Sequence, residues 1–362
     1  MSFARPPFSF ATLLLLTLGI ALNLWAALPQ DAQARRFRGD REPRIGILSA
    51  FGAEADLLIA NTDQARDVMI NGQRYTTGVL HGHRVVIVLT GVGIVNAAMT
   101  TQVMLDHFNI DRLIMSGIAG GIDENRHVAD VLVPAYWVQP LAVYWHRNGD
   151  VPDPCGVQGD LTCLGLQLAT SDDIGEGSQD ALPGLILSGE SANGTCHAET
   201  GLFMRRTFVR NETSPPEGEF KFLFPVDQEM LEVAQTLSPT LERCGTPAGS
   251  DTALCVSTQP ELHVGGIGVS GPAFVAHPEY RTYLSDTLNA QAVDMETSAL
   301  AQVAYANNVP YLAIRSLSDL AGGEGNADVG AFFGSGLAET NEAAVTFAFL
   351  DAWRGPRTRV RH

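Results

Sequence analysis

Residues 85–89, Val-Val-Ile-Val-Leu, form an unbroken apolar run with no polar alternation. A strand of that kind must be covered on both faces, the condition of a buried parallel sheet flanked by helices. The next residues agree: Gly91-Val92-Gly93 marks a tight turn, and residues 94–108 carry helical apolar spacing. The alternation recurs along the chain. Residues 44–48 read as a buried strand and Glu54 onward as a helix; residues 112–115 read as a strand that ends in the glycine turn Ser116-Gly117-Ile118-Ala119-Gly120-Gly121, and residues 128–138 as extended. Later come a strand at 264–269, a helix near 278–288, a strand at 311–314 and a last helix at about 339–353. Such alternation predicts one α/β domain over 44–354.

Between about residues 141 and 262 the pattern breaks. Asp, Gly, Ser and Pro cluster at 149–160, 171–194 and 211–218, the mark of long surface loops. Within this insertion, Phe224-Pro225-Val226-Asp227 leads into an amphipathic helix with Met230, Leu231, Val233, Ala234 and Leu237 on one side. All five cysteines lie here, at 155, 163, 196, 244 and 255, and none has zinc-site spacing. In an oxidising compartment the economical pairing is Cys155 with Cys163 and Cys244 with Cys255. Each bridge would close a short loop and contribute about 2–3 kcal/mol. Cys196 is then left over as a buried thiol, although spacing does not fix the connectivity.

Residues 8–28 are apolar behind the single base Arg5, and Ala32-Gln33-Ala34 fits a small-x-small cleavage site. Residues 1–34 therefore read as a secretory signal, and the protein as secreted or periplasmic. An uncleaved membrane anchor is the competing reading, disfavoured by Arg35, Arg36, Arg38 and Arg41 on the far side. Residues 35–43 read as a linker and 355–362 as a basic tail. A net charge of −17 would repel a phosphate backbone, which argues against nucleic acid as a partner.

Two carboxylates carry the chemistry. Glu296, in Asp294-Met295-Glu296, opens the helical run Ala299, Leu300, Val303, Ala304; Asp319 closes Arg315-Ser316-Leu317-Ser318-Asp319. In an open α/β sheet, ligands bind beyond the carboxyl ends of strands. From position alone, a helix N-terminal acid and a turn acid remain equally open. Gly91-Val92-Gly93-Ile94-Val95-Asn96 resembles a dinucleotide fingerprint, but Asn96 stands where a third glycine belongs, so a Rossmann dehydrogenase is a second choice only. His197, His263 and His277 form no ligand set, and Ser270-Gly271 is no nucleophile elbow.

Resemblance weighs on the open choice. Val269-Ser270-Gly271-Pro272-Ala273-Phe274, Asp294-Met295-Glu296 and Arg315 to Asp319, together with Gly46 to Glu54 and Ser116 to Gly121, resemble the purine nucleoside phosphorylase and 5'-methylthioadenosine/S-adenosylhomocysteine nucleosidase superfamily. That resemblance implies a central mixed, partly barrel-like sheet flanked by helices, no metal or organic cofactor, a purine nucleoside as ligand and a homo-oligomer. It implies Asp319 as the acid that protonates the base and Glu54 as the base that activates water. It also implies a ribose site at Glu296 and Met295, a purine stacked on Phe224 and read by Val226, and further contacts from Ser318, Phe51, Ile118 and Gly120. Superfamily phosphorylases hold phosphate with an arginine and a hydroxyl residue where this chain has Met115 and Ile118. Hydrolysis is therefore expected ahead of phosphorolysis, and Asp319 leans toward a 6-amino purine such as adenosine or 5'-methylthioadenosine. Ile118 also departs from the small nucleosidases. A non-catalytic reading stays open, because the insertion, Gly117 to Gly120 and Pro134-Ala135-Tyr136-Trp137 resemble plant vegetative and bark storage proteins.

Overall fold

The computed structural model describes residues 42–147, 200–247, 249–323 and 334–355. The expected signal, most of the linker, Cys155, Cys163, Cys196 and all but the first residue of the basic tail lie outside them. The sheet strands are β1 (Arg44–Ser49), β2 (Asp63–Ile70), β3 (Gln73–Leu80), β4 (His83–Leu89), β5 (Ile110–Gly121), β6 (Val131–Val133), β7 (Tyr136–Val138), β8 (Phe224–Pro225), β9 (Leu262–Val264), β10 (Ile267–Ser270), β11 (Ala290–Asp294) and β12 (Tyr311–Asp319). They join in the order β8-β7-β10-β11-β5-β1-β4-β3-β2, with β12 bonded to both β5 and β6, and β6 to β9. Parallel pairs (β1 with β4 and β5, β12 with β5, β10 with β7 and β11) mix with antiparallel ones (β2-β3-β4, β11 with β5). The sheet is mixed and branched, and its path stays open, so the barrel is not closed.

The helices are α1 (Gly52–Ala60), α2 (Ile94–His107), α3 (Gln228–Ala234), α4 (Pro278–Leu288), α5 (Thr297–Ala306) and α6 (Leu337–Ala352). Helices on the sheet explain the apolar run 85–89: Val85, Val86, Ile87 and Val88 of β4 are all buried. Local chemistry sets the helix ends. Asp227 Oδ1 accepts the Met230 N–H at 2.9 Å to start α3. Pro278 supplies the fixed φ of the first turn of α4, and Asn289 ends it in the left-handed region at φ 50°.

Two sequence expectations change. The glycine run 116–121 is no turn but the second half of β5, a strand of 12 residues with three neighbours. Its glycines make room for side chains from other elements. A Cβ at Gly121 would lie 2.8 Å from Leu320, and one at Gly117 2.4 Å from Glu54 Oε1. The hairpin β2–β3 was not anticipated, although Asn71 and Gly72, both at positive φ, form the two-residue turn that such hairpins favour. Described parts of the insertion form antiparallel ribbons, Val143–Arg147 with Thr200–Met204 and Thr207–Val209 with Glu219–Lys221. A third pairs Cys244 with Cys255 across a disulfide, one of the two expected bridges.

Candidate active site

Four strand ends and one turn meet at a cavity of about 690 Å³, counted to its open mouth. Ala50 and Phe51 follow β1; Ile118 and Gly120 come from β5; Met295 and Glu296 follow β11; Ser318 and Asp319 end β12. Val92, in the turn before α2, and Phe274 stand exposed at its edge. Its mostly apolar lining, with the carboxylates of Glu54, Asp294, Glu296 and Asp319 converging on it, suits a small organic ligand.

The floor is organised by Arg315, fully buried on β12. Its Nη2 lies 2.6 Å from Asp294 Oδ2 and 3.3 Å from Glu296 Oε2, while Nη1 lies 3.8 Å from Glu54 Oε1. One guanidinium thus faces three carboxylates, and they cannot all ionise freely in a medium that screens weakly. Glu296 feels this most openly: burial first, with Asp294 and Glu54 adding and Arg315 and the Gly93 N–H opposing, pushes its carboxyl up to about 7. Burial also raises the Glu54 carboxyl, against Arg315 and the amides of Ile118, Ala50 and Phe51.

Both acids are held at both oxygens. Glu54 Oε1 accepts the Ile118 N–H at 2.9 Å, and Oε2 accepts those of Ala50 and Phe51, the latter at 3.2 Å. That reach back to the residue before α1 explains why an acid sits in its first turn. Glu296 Oε1 accepts the Gly93 N–H at 2.8 Å. Gly93 has φ 100°, a conformation that favours glycine and turns this amide toward Glu296. Asp319 differs in having no cation beside it among the described residues. Its Oδ1 accepts the Ala321 N–H at 2.7 Å and its Oδ2 the Ser318 hydroxyl at 2.9 Å. Burial raises its carboxyl and outweighs both donors. A carboxyl so placed retains its proton further toward neutral pH and can donate it.

A model of the phosphorylase superfamily matches residues 44–349, spanning the whole sheet. The chain belongs to the phosphorylase superfamily. It is 25% identical over 291 residues to a 5'-methylthioadenosine/S-adenosylhomocysteine nucleosidase of Bacillus cereus, a match covering 80% of this chain and 91% of that protein. The corresponding Staphylococcus aureus protein is 25% identical over 289 residues, with 80% and 91% covered. Among solved structures, the Streptococcus pneumoniae nucleosidase with the transition-state inhibitor MT-ImmA superposes with a TM-score of 0.54 at 23% identity, covering 85% of this chain and 99% of that one. The futalosine hydrolase of Helicobacter pylori gives 0.53 at 19%, covering 86% and 98%.

Within this superfamily fold, Glu54, Phe51, Ile118, Gly120, Met295, Glu296, Ser318 and Asp319 all line the one cavity. Phe224 and Val226 do not. Phe224 lies in β8 opposite Trp137, buried, its ring edge-on to Tyr305 with centroids 6.1 Å apart. Val226 is buried and its N–H donates to Ala135 O at 3.0 Å. Both belong to the main hydrophobic core, because the chain re-enters the sheet as β8 before starting α3. Besides Phe51, the aromatic ring at the cavity is Phe274, 62% exposed and followed by Val275. It ends the Val269 to Phe274 run, so the signal lay in a motif already singled out. No lysine, arginine or histidine lines the cavity among the described residues, and Met115 is buried in the core. Nor do those residues include a group of three or more His, Cys, Asp or Glu able to hold a metal.

Proposed function

We propose that the chain hydrolyses the N-glycosidic bond of a purine nucleoside of the adenosine or 5'-methylthioadenosine type. The observation that carries this is the meeting of Glu54, Glu296 and Asp319 around one cavity with no cation on its wall among the described residues. Breaking the bond puts positive charge on the sugar and negative charge on the leaving base. Glu296, anchored by Gly93 and Arg315, would hold the ribose hydroxyls and offset the cation. Asp319 would donate its proton to the base nitrogen, with Ser318 and the Ala321 amide receiving the carboxylate left behind. Phe274 would stack on the base. Glu54 would take the proton of the attacking water.

Among the described residues phosphate would find no cationic donor on this wall, and charge-assisted donors contribute about 1.5–3 kcal/mol each. Water therefore remains as the nucleophile. Export to an oxidising compartment belongs to the same proposal and is supported by the apolar residues 8–28 and the Cys244–Cys255 bridge. So does self-association, which the exposed apolar Val92, Val95 and Met99 around the start of α2 support. The test is to incubate the protein with adenosine, inosine and 5'-methylthioadenosine, with and without phosphate. Free sugar in both conditions is expected; a sugar phosphate formed only with phosphate would replace hydrolysis by phosphorolysis.

A further inference from the structure

One buried acid has no part in this scheme. Glu342 of α6 has no exposed surface; its Oε2 accepts from the Ser116 hydroxyl, and its Oε1 has no hydrogen-bond partner among the described residues. Ser116 Oγ in turn lies 2.7 Å from Thr346 Oγ1, one turn along the same helix. An ionised carboxylate sealed from water with one oxygen unpaired is strongly disfavoured. The charged groups whose fields reach it are Glu54 on α1, Arg315 on β12 and Glu339 on its own helix. Of the other elements that α6 touches, β6 brings only Val131, Leu132 and Val133, and α3 brings Glu229 and Glu232, both partly exposed. Burial dominates and lifts the Glu342 carboxyl well above the ordinary range, Glu54 and Glu339 adding, Ser116 and Arg315 opposing. With the Ser116 hydroxyl given to Glu342 Oε2, the Thr346 hydroxyl is free to donate to Ser116 Oγ, and the three side chains form one hydrogen-bonded chain.

Core packing alone does not call for an acid here, since an apolar side chain of the same size would fill the space without a desolvation cost. What lies next to Ser116 does. Gly117 follows it, and a Cβ there would come within 2.4 Å of Glu54 Oε1 and 2.5 Å of Arg315 Nη1. Ile118, the next residue, gives its N–H to Glu54 Oε1. A small shift of this backbone therefore reaches the catalytic floor undamped. We propose that Glu342 is a positioning residue for hydrolysis: it fixes Ser116 and thereby the Gly117-Ile118 backbone whose amide holds Glu54. This rests on the reading of Glu54 as the base.

The experiment compares Glu342→Leu, Ser116→Ala, Glu342→Gln and Glu54→Gln for kcat, KM, the pH profile of kcat and Tm. Losing the link should lower kcat about tenfold in Glu342→Leu and Ser116→Ala, with KM within about twofold, since small misplacements cost rate. Their acid limb should move to higher pH, because a loosened Ile118 N–H no longer favours the charged form of Glu54. Glu342→Gln, neutral and of the same shape, should restore kcat to within about threefold and return the limb to its wild-type place. Folded Glu342→Leu and Ser116→Ala with wild-type kcat and limb would overturn the proposal, as would Glu342→Gln as impaired as Glu342→Leu. If Glu342→Leu does not fold, Ser116→Ala decides alone. An active Glu54→Gln would instead remove the base assignment, a separate failure.

Discussion

Replacing Glu296 by glutamine should make the protein less active and, above neutral pH, more stable. Three carboxylates crowd Arg315, and Glu296 is the one whose carboxyl is pushed from its ordinary 4.5 up to about 7. A carboxyl with a raised folded-state value binds its proton more tightly folded than unfolded. Its contribution is therefore present at acid pH and is lost as pH climbs from about 4.5 to about 7. At about 1.4 kcal/mol per unit, the loss comes to about 3 kcal/mol. Glutamine does not titrate, so the difference in unfolding free energy, mutant minus wild type, should grow by that amount across the window and stay level above it. Glu54, Asp319 and Glu342 titrate in both proteins, so their slopes largely cancel in the difference. Urea unfolding at half-unit pH steps from 4 to 8.5 reads it directly. Turnover should fall in the same variant, because an amide can bond a hydroxyl but cannot offset a sugar cation. Parallel stability curves across that range would refute the charge crowding inferred around Arg315.

Asp319→Asn should keep the fold and lower kcat about 10²-fold or more, since an amide has no acidic proton to give; near-wild-type turnover would take Asp319 out of the acid role. Glu54→Gln should lower kcat by at least about 10²-fold with KM little changed, and added phosphate should not rescue it. The two phenylalanines should part company. Phe224→Ala, in the core, should cost about 3–5 kcal/mol in unfolding experiments, whereas Phe274→Ala should leave Tm alone and raise KM, with about 0.5–1.5 kcal/mol of it from lost stacking. A KM effect from Phe224 with unchanged stability would reverse that assignment.

Regular periodicity made most of the fold legible. The apolar runs of β1 and β4 and the helical spacing of α2, α4 and α6 appear within a few residues of where composition put them. The glycine run of β5 was harder, because glycine breaks a strand and also lets neighbouring side chains crowd one; which applies depends on Glu54, Arg315 and Leu320 arriving from distant parts of the chain. The acids of the site were visible as motifs, and their shared cavity follows from the strand ends that carry them. Arg315 was visible only as a neighbour of Asp319, since its pairing with three carboxylates is purely tertiary. Phe224 was open in the sequence, because an aromatic before an amphipathic helix reads alike as a ring that stacks on a ligand or as core. Two ladder residues opposite Trp137 and Tyr136 decide for the core.

In the proposed hydrolysis, water delivered from the Glu54 side takes the place of the base on the sugar. That step is tested most directly by running the reaction in oxygen-18 water with phosphate present and analysing the sugar by mass spectrometry. Hydrolysis gives free sugar carrying one labelled oxygen at its anomeric carbon and no sugar phosphate. Unlabelled sugar 1-phosphate as the first product would contradict it.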